Sequence, residues 1–301
     1  IVDYLENDWT DGENSLELPV QVTEPEGSAE DLAYVKDLLG SFTTSFSTSS
    51  ADRSKNVNSG AKHVNGTVLY PGETFSMYET VAPFTAENGY AMAGSYLNGE
   101  VVDSMGGGIC QVSTTLYNAV LRAELEVVER SPHSMTVHYV ELSEDAAIAG
   151  TYKDFKFKNS TDYPIYIEGY TTSDKKITFN IYGKETRDSN RSISFESVLV
   201  NEVKPNTILR DDAGQGIGYK SVSAGKTGYV AELYKIVKVN GVQTDRIKIN
   251  KSTYKGSDRV VTYGTAGDPT LSENLRAAIA AQDEALADAN IAAAAPAAPA
   301  Q

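Results

Sequence analysis

Apolar residues recur at three- and four-residue steps in the stretch that follows Cys110, and this spacing predicts a helix that begins near that residue. A second helix is predicted at about 51–63. A third is predicted from Ser28, as N-cap, to a closing glycine at Gly40. The apolar stripe of the helix that begins near Cys110 consists of Val112, Leu116, Ala119, Val120 and Ala123.

Alternating apolar and polar positions predict strands in most of the remaining chain. A short strand follows the Asn-Gly turn at 65–66, and two strands, "LEVVER" and "SMTVHYVEL", follow the Cys110 helix. Residues 151–183 predict a β-meander, and 193–265 predict strands without any helical stripe. The pattern therefore indicates an α+β fold, with helices packed on a mostly antiparallel sheet, followed by a small, elongated all-β module.

Changes in composition divide the chain into four parts. Residues 1–27 have the pattern of a linker or of the end of a preceding domain, and 28–187 form the first domain. After the polar stretch 184–192, the β module occupies 193–266. Residues 267–301 begin with an Ala-rich helix and end in an Ala/Pro tail, which we expect to be disordered and extended.

The length of 301 residues allows two domains with proper cores. A net charge of −15 argues against a nucleic-acid partner, which needs a basic surface. No stretch approaches the roughly 18 apolar residues of a membrane-spanning helix. The opening "IVDYLENDW" is not a signal peptide. Because the chain does not start with Met, we expect a fragment from which a signal or anchor has been removed.

Cys110 is the only cysteine, and three glycines precede it. A helix N-terminus favours negative charge and can lower a thiol pKa to roughly 3.5–7.5. The glycines leave room for a substrate backbone, and the N–H groups near Gly108, Ile109 and Cys110 could donate to an oxyanion. The alternative is a glycine turn that starts a buried helix with an inert cysteine. The pattern alone leaves both interpretations open.

Three histidines could serve Cys110 as a base. His133 follows Pro132 in "SPHSM", at the end of an element, where catalytic side chains are often found. Strand alternation places His133 and His138 on opposite faces, so they cannot share a site unless the strand bulges. We expect structural roles for His138 and His63. No phosphate-loop, dinucleotide or zinc motif is present, so we expect neither a metal nor a cofactor.

The segment "GGGICQVSTTLYNAVLRAELEVVERSPHSMTVHYV" resembles the core signature of the VanW domain family, which is named after vancomycin-resistance clusters. The resemblance continues through "RSKNVNSGAKHVNGTVLYPGETFS" upstream and "KDFKFKNSTDYPIYI" downstream, and spans roughly 35–183. Residues 193–265, ending in "VVTYGT", are similar to the G-five domain. The opening "LELPVQVTEPEGSAEDL" resembles the exit of a peptidoglycan-binding domain.

The resemblance implies an extracellular, cell-wall-associated Gram-positive protein that acts as an L,D-transpeptidase, cross-linking peptidoglycan stem peptides through a thioester. It implies Cys110 as the nucleophile and His133 as the general base. One departure is "LSEDA" at 142–146, where the family usually has a glycine before the acidic residue, and no role is assigned to Asp145. We expect substrate or oxyanion contacts at Gly107, Gly108, Ile109, Gln111 and Ser134.

Two alternatives remain beside transpeptidation. One is a non-catalytic surface protein that binds stem peptides or glycan strands, and the other is a cysteine amidase or endopeptidase that resolves the thioester with water. We expect a monomer whose β module is separable and has no chemistry of its own. The transpeptidase hypothesis predicts a His133 nitrogen within about 4 Å of the sulfur, and a carbonyl or carboxylate on the other nitrogen.

Overall fold

The computed structural model describes residues 29–97 and 100–294. Residues 1–27, expected to be a linker or the end of a preceding domain, and residues 295–301 of the Ala/Pro tail lie outside the described ranges. The first domain contains α1 (Ala29–Leu32), β1 (Asp37–Ser45), α2 (Ala51–Val64), β2 (Thr67–Leu69), β3 (Thr74–Ser76), α3 (Met77–Val81), β4 (Met92–Leu97), β5 (Glu100–Met105), α4 (Ile109–Ala123), β6 (Glu126–Glu129), β7 (Lys156–Lys158), β8 (Ile165–Thr171) and β9 (Lys176–Gly183). The remaining elements are β10 (Arg191–Val203), β11 (Thr207–Gly216), β12 (Lys220–Ser223), β13 (Gly228–Val239), β14 (Val242–Tyr254), β15 (Arg259–Ala266), α5 (Pro269–Ala280) and α6 (Glu284–Ala294).

Helix α4 is buried along nearly its whole length and lies at the centre of the first domain. It packs on β1 and β9, which belong to an antiparallel sheet with the strand order β1-β9-β8-β2. Leu116 and Val120 of the helix share an apolar cluster with Phe179 and Ile181 of the sheet. Full burial of such side chains contributes roughly 1.5–3 kcal/mol each, so this cluster fixes the helix on the sheet.

Two smaller antiparallel sheets complete the first domain. Strands β3, β7 and β6 form one of them, and the β4–β5 hairpin forms the other. The hairpin matters for the site because β5 ends at Met105, directly before the glycines that lead into α4. The mixed architecture of helices and antiparallel sheets agrees with the predicted fold class.

The helix predicted from Ser28 to Gly40 is wrong over most of its length. Among the described residues only Ala29–Leu32 are helical, and β1 begins at Asp37. The apolar residues of this stretch fit either structure, and the pairing of β1 with β9 decides between them. Gly40 does not end a helix. It lets α4 cross the strand, since a Cβ there would lie 2.4 Å from the backbone nitrogen of Ala123.

Two strand predictions also need correction. The segment "SMTVHYVEL" forms no strand and is part of an irregular connection between β6 and β7. Residues 151–183 are not a meander, because β7 pairs with β3 and β6, and only β8 and β9 are neighbours. In both places long-range pairing overrides the local pattern.

The β module consists of two three-stranded sheets. Strands β10, β13 and β14 form an antiparallel sheet, and β11, β15 and β12 form the second, in which β11 and β15 run parallel. The all-β prediction is confirmed. The expectation of a separable module is not, because Leu233 belongs to the core of the first domain, with Phe195 and Ile249 packed against it.

The Ala-rich segment after Gly267 forms two helices rather than one. They are separated at Gln282, which has a positive φ of 56°. Leu275 and Ala287 pack with Val261 and Tyr263 in a second apolar cluster, so the helices cover the sheet that contains β15. Within the described ranges, every helix is too short or too polar to cross a membrane.

Candidate active site

The three glycines before Cys110 form a tight turn that places this residue second in α4. Gly106 and Gly108 have positive φ angles of 78° and 109°, which favour glycine. Gly107 lies against β4, and a Cβ there would be 2.2 Å from the carbonyl oxygen of Ala93. Gly108 is the N-cap and has no side chain to satisfy the first amides of the helix. Cys110 therefore lies at a helix N-terminus, as predicted.

Side chains from α2 and from the start of α4 brace this turn. The Asn56 amide donates to the carbonyl oxygen of Gly107 at 2.9 Å. The buried Gln111 amide donates to Thr44 Oγ1 and accepts from Arg53 at 2.9 Å. Because its side chain is buried and bonded within the protein, Gln111 holds the turn against β1 and does not present the substrate contact that we expected of it.

The turn also determines which backbone amides are free to meet an oxyanion. The N–H groups of Gly107, Ile109 and Gln111 donate to carbonyl groups of the turn itself, which removes Ile109 from the expected donors. Within the described part of the chain, no backbone carbonyl accepts from the N–H groups of Gly108 or Cys110. These two amides are therefore the candidates for an oxyanion site.

The thiol of Cys110 is partly buried and lies beside His133. Its sulfur lies 3.4 Å from the carbonyl oxygen of Ile148. Burial alone would raise the pKa of the thiol, but the hydrogen bond and the positive charge of His133 outweigh it, and the pKa is lowered. Burial likewise opposes protonation of His133, whereas its hydrogen bonds to Asp145 and Cys110 raise its pKa to about 9. Both shifts favour the charged pair of thiolate and imidazolium over the neutral pair.

Asp145 fixes the orientation of the histidine ring. Its Oδ2 accepts from both the backbone N–H and Nδ1 of His133, each at 2.7 Å. This leaves Nε2 to face the thiol. Burial would raise the pKa of Asp145, but the hydrogen bonds and charge of His133 and the charge of Arg130 lower it, so the carboxylate stays ionised. A carboxylate on the second ring nitrogen was predicted, although Asp145 was not assigned to it.

The irregular connection after β6 carries both His133 and Asp145, and hydrogen bonds from α4 hold it. The Asn118 amide donates to the carbonyl oxygen of Glu144 at 2.7 Å, and the Thr114 hydroxyl accepts from the backbone N–H of Ala146 at 3.0 Å. Because Cys110 is on the same helix, these contacts set the spacing between the thiol, the imidazole and the carboxylate.

Strand β14 of the β module also reaches the site. The Tyr254 hydroxyl donates to Asp145 Oδ1 and accepts from the backbone N–H of Ser143 at 2.7 Å. The Arg130 guanidinium, which donates to the same Oδ1, also donates to Ser252 Oγ at 2.9 Å. The site is therefore built by both domains.

Of the other residues named from the sequence, two histidines lie outside the site and Ser134 lies beside it. His138 is exposed, and His63 is exposed and stacks on Tyr90, so neither belongs to the site. Ser134 is half-buried beside His133, and its carbonyl oxygen accepts from the backbone N–H of Lys255 at 2.7 Å. This carbonyl therefore contacts the β module.

Several residues of the site were missed in the sequence. Arg130 and Tyr254 reach Asp145 only because the chain folds, and no local motif in the sequence indicates them. Burial, together with the charge of Cys110, raises the pKa of Tyr139 well above the usual value. Within the described ranges, no three His, Cys, Asp or Glu side chains form a group that could hold a metal ion.

Comparisons with known proteins agree with this division. Residues 52–182 match the family described as VanW like protein, and residues 196–266 match the G5 domain family. "Uncharacterized protein YoaR" of Bacillus subtilis (strain 168) is 39% identical over 157 residues, which cover 52% of this chain and 52% of that protein. "Vancomycin B-type resistance protein VanW" of Enterococcus faecalis is 31% identical over 134 residues, 42% of this chain and 48% of that protein. The chain thus spans about half the length of these curated relatives.

Two solved structures resemble part of the chain. The structure of an IgA1 protease G5 domain is 22% identical, with a TM-score of 0.21. The match covers 26% of this chain and 94% of the chain in that structure. HP0197-G5 has 21% identity and a TM-score of 0.17, and covers 25% of this chain and 100% of its own. At these TM-scores the likeness adds nothing to the argument for function.

Proposed function

From a chain that carries a VanW-like domain followed by a G5 domain, we propose an enzyme of the bacterial cell wall that transfers acyl groups through Cys110. The single observation that carries the proposal is the placement of Cys110, at the N-terminus of α4, beside a buried histidine that is itself bonded to the buried carboxylate of Asp145. An inert cysteine would not need a buried histidine, itself held by a buried carboxylate. Such a series is the arrangement that activates a nucleophile.

The chemistry would proceed in two halves. The Cys110 thiolate attacks a peptide carbonyl, and the oxyanion is met by the amides of Gly108 and Cys110. The His133 imidazolium gives its proton to the leaving amine as the C–N bond breaks, which leaves a thioester and a neutral imidazole. An incoming amine then attacks the thioester and transfers a proton to the imidazole, which restores the thiolate–imidazolium pair.

We propose the peptidoglycan stem peptide as substrate, with the acyl group taken from the third stem residue and D-Ala as the leaving group. The VanW match supports this choice, as does the Enterococcus relative, which is named as a vancomycin B-type resistance protein. The protein would then act outside the cell, at the wall, as an L,D-transpeptidase. No cofactor enters these steps.

The experiment is the intact mass of the full chain after incubation with a stem tetrapeptide, and separately with a carbapenem. We expect an acyl adduct on Cys110 with each reagent, and none in Cys110→Ala. Addition of an amine acceptor should yield a cross-linked peptide. Tripeptide without cross-linked product would assign a hydrolase instead, because water would then be the acceptor.

The binding alternative makes the opposite prediction. If both reagents leave Cys110 unmodified while Cys110→Ala and the parent protein retain isolated peptidoglycan equally, the enzyme proposal is wrong. The protein would then be a wall-binding surface protein. Retention lost in Cys110→Ala would also contradict a purely catalytic role for the thiol.

A further inference from the structure

We propose that the G5 domain is a working part of the catalytic centre, with Tyr254 as a positioning residue that holds Asp145 and, through it, His133. The inference rests on the proposed role of Cys110 and deepens it. It replaces the expectation that this domain has no part in the chemistry.

The two oxygens of Asp145 have different partners. Oδ2 accepts both N–H groups of His133, whereas Oδ1 accepts from Arg130 at 3.0 Å and from the Tyr254 hydroxyl. Arg130 is itself bonded to Ser252. One donor to Oδ1 is therefore a residue of β14 and the other contacts β14, so the G5 domain helps to orient the carboxylate toward the histidine.

Burial makes this dependence strong. Asp145 is fully buried and Tyr254 is 3% exposed, so no bulk water can replace a lost hydrogen bond. An unsatisfied buried polar group costs on the order of 1–3 kcal/mol, and more when it is charged. Removing the hydroxyl leaves Asp145 Oδ1 with Arg130 alone and leaves the backbone N–H of Ser143 unpaired. The carboxylate is then free to rotate away from the imidazole.

A second contact argues against simple domain docking. Lys255 follows Tyr254 directly, and its backbone N–H bonds the carbonyl oxygen of Ser134, the residue after the catalytic histidine. The end of β14 thus holds both the carboxylate and the backbone beside the imidazole. A contact made only for docking would not need to meet both residues of the pair.

The test is the pH dependence of Cys110 alkylation by iodoacetamide in the full chain carrying Tyr254→Phe. A weaker Asp145–His133 pair stabilises the imidazolium less, so the thiol pKa should rise. We expect an approximately tenfold slower alkylation at pH 7, which corresponds to a shift of about one pH unit, with an unchanged rate at high pH. A merely structural loss would lower the rate at all pH values or lower the melting temperature without moving the midpoint.

Tyr234→Phe is the matched control, because its hydroxyl bonds Glu232 in the same sheet and it should leave the profile unchanged. If Tyr254→Phe does not fold, Ser252→Ala provides the test, since it removes the partner of Arg130 and should move the midpoint in the same direction by a smaller amount. A Tyr254→Phe profile equal to that of the parent would overturn the inference. A parent thiol that reacts no faster than a free thiol would instead overturn the proposed function, so the two failures are distinguishable.

Discussion

At the scale of single residues, the proposed chemistry depends on a thiol and an imidazole that change each other's protonation. The hydrogen bond between them lowers the pKa of Cys110 against the opposing effect of burial, and the hydrogen bonds to Asp145 and Cys110 together raise the pKa of His133 to about 9. Between these two pKa values the thiol is charged and the imidazole carries its proton. The pH window of the proposed reaction therefore extends from below the usual thiol pKa up to about 9.

This window gives the first prediction. Alkylation of Cys110 should reach half its maximum at a pH below the usual thiol value of about 8.5, and should then stay high. Acylation by a stem peptide should instead fall again above about pH 9, because His133 then has no proton for the leaving amine. Rates measured from pH 5 to pH 10 with both reagents test this. Two curves that rise together and never separate would contradict the assignment of His133 as acid.

The second prediction concerns the histidine itself. In His133→Ala the thiol remains partly buried but has no positive partner, so its pKa should rise. Since each unit changes the thiolate fraction tenfold, we expect alkylation at pH 7 to fall about ten- to hundredfold. His138→Ala is the matched control, because that side chain is exposed, and it should react like the parent. A loss in His138→Ala would reassign the base.

The sequence predicts part of this residue chemistry. Cys110 could be placed from the glycines before it and the apolar stripe after it, and His133 from its position at the end of an element. Asp145 could not be assigned, because it reaches His133 through an irregular connection that has no hydrophobic period. Gln111 was assigned wrongly, since its position beside the nucleophile does not reveal that its amide points into the domain.

At the scale of elements, the position of α4 depends on close contact with β1. Gly40→Ala should lower the free energy of unfolding by at least about 2 kcal/mol, because the new Cβ would lie 2.4 Å from backbone atoms that cannot move aside. Urea denaturation measures the change. Gly216→Ala is the control, since its Cβ would find its nearest neighbour at 3.8 Å, and it should change stability by less than about 0.5 kcal/mol. Equal effects would show that the crossing does not constrain the helix.

The errors of prediction also belong to this scale. The stretch around Val35 and Leu39 has a helical spacing of apolar residues, yet β1 forms because β9, far along the chain, offers it an edge. The spacing shows which residues are apolar, but it does not show which strand is available for pairing. The long helices α2 and α4 were predicted correctly, because the backbone hydrogen bonds of a helix lie within its own segment and need no partner elsewhere in the chain.

At the scale of the whole molecule, Glu124 joins the end of α4 to the G5 domain. It bonds Arg191 and Lys235 of that domain, and these hydrogen bonds, which outweigh burial, lower its pKa to about 2. A carboxylate with a lowered folded-state pKa stabilises the protein above about pH 4.5, and this stability is lost as the pH falls toward 2. Glu124→Gln should therefore lower the free energy of unfolding by about 1–3 kcal/mol at pH 7 and by almost nothing near pH 2.

The control for this prediction is Glu196→Gln. Glu196 is half exposed and pairs with Arg246 at the surface, so its loss should change stability by less than about 0.5 kcal/mol. Denaturant unfolding at several pH values checks both variants. A Glu124→Gln effect that is the same at pH 2 and pH 7 would show that the charge of this residue does not hold the domains together.

The order of the two domains could be predicted from the sequence, but the way they meet could not. The VanW-like and G5 patterns each lie within one continuous segment of the sequence, so they can be read locally. The contact between Asp145 and Tyr254 joins positions 109 residues apart, and neither residue lies in a motif that indicates the other as its partner. Only the packed structure shows that the two domains share one polar network.

That shared network has a consequence for the protein during its synthesis. A chain made from its N-terminus presents Cys110, His133 and Asp145 well before Tyr254 has been synthesised. On the inference drawn from β14, the thiol then lacks its last support and remains a weak nucleophile while the first domain folds. Full reactivity arrives only when the later strand closes onto it. On this inference, the thiol is protected from premature reaction until β14 has been made and has folded.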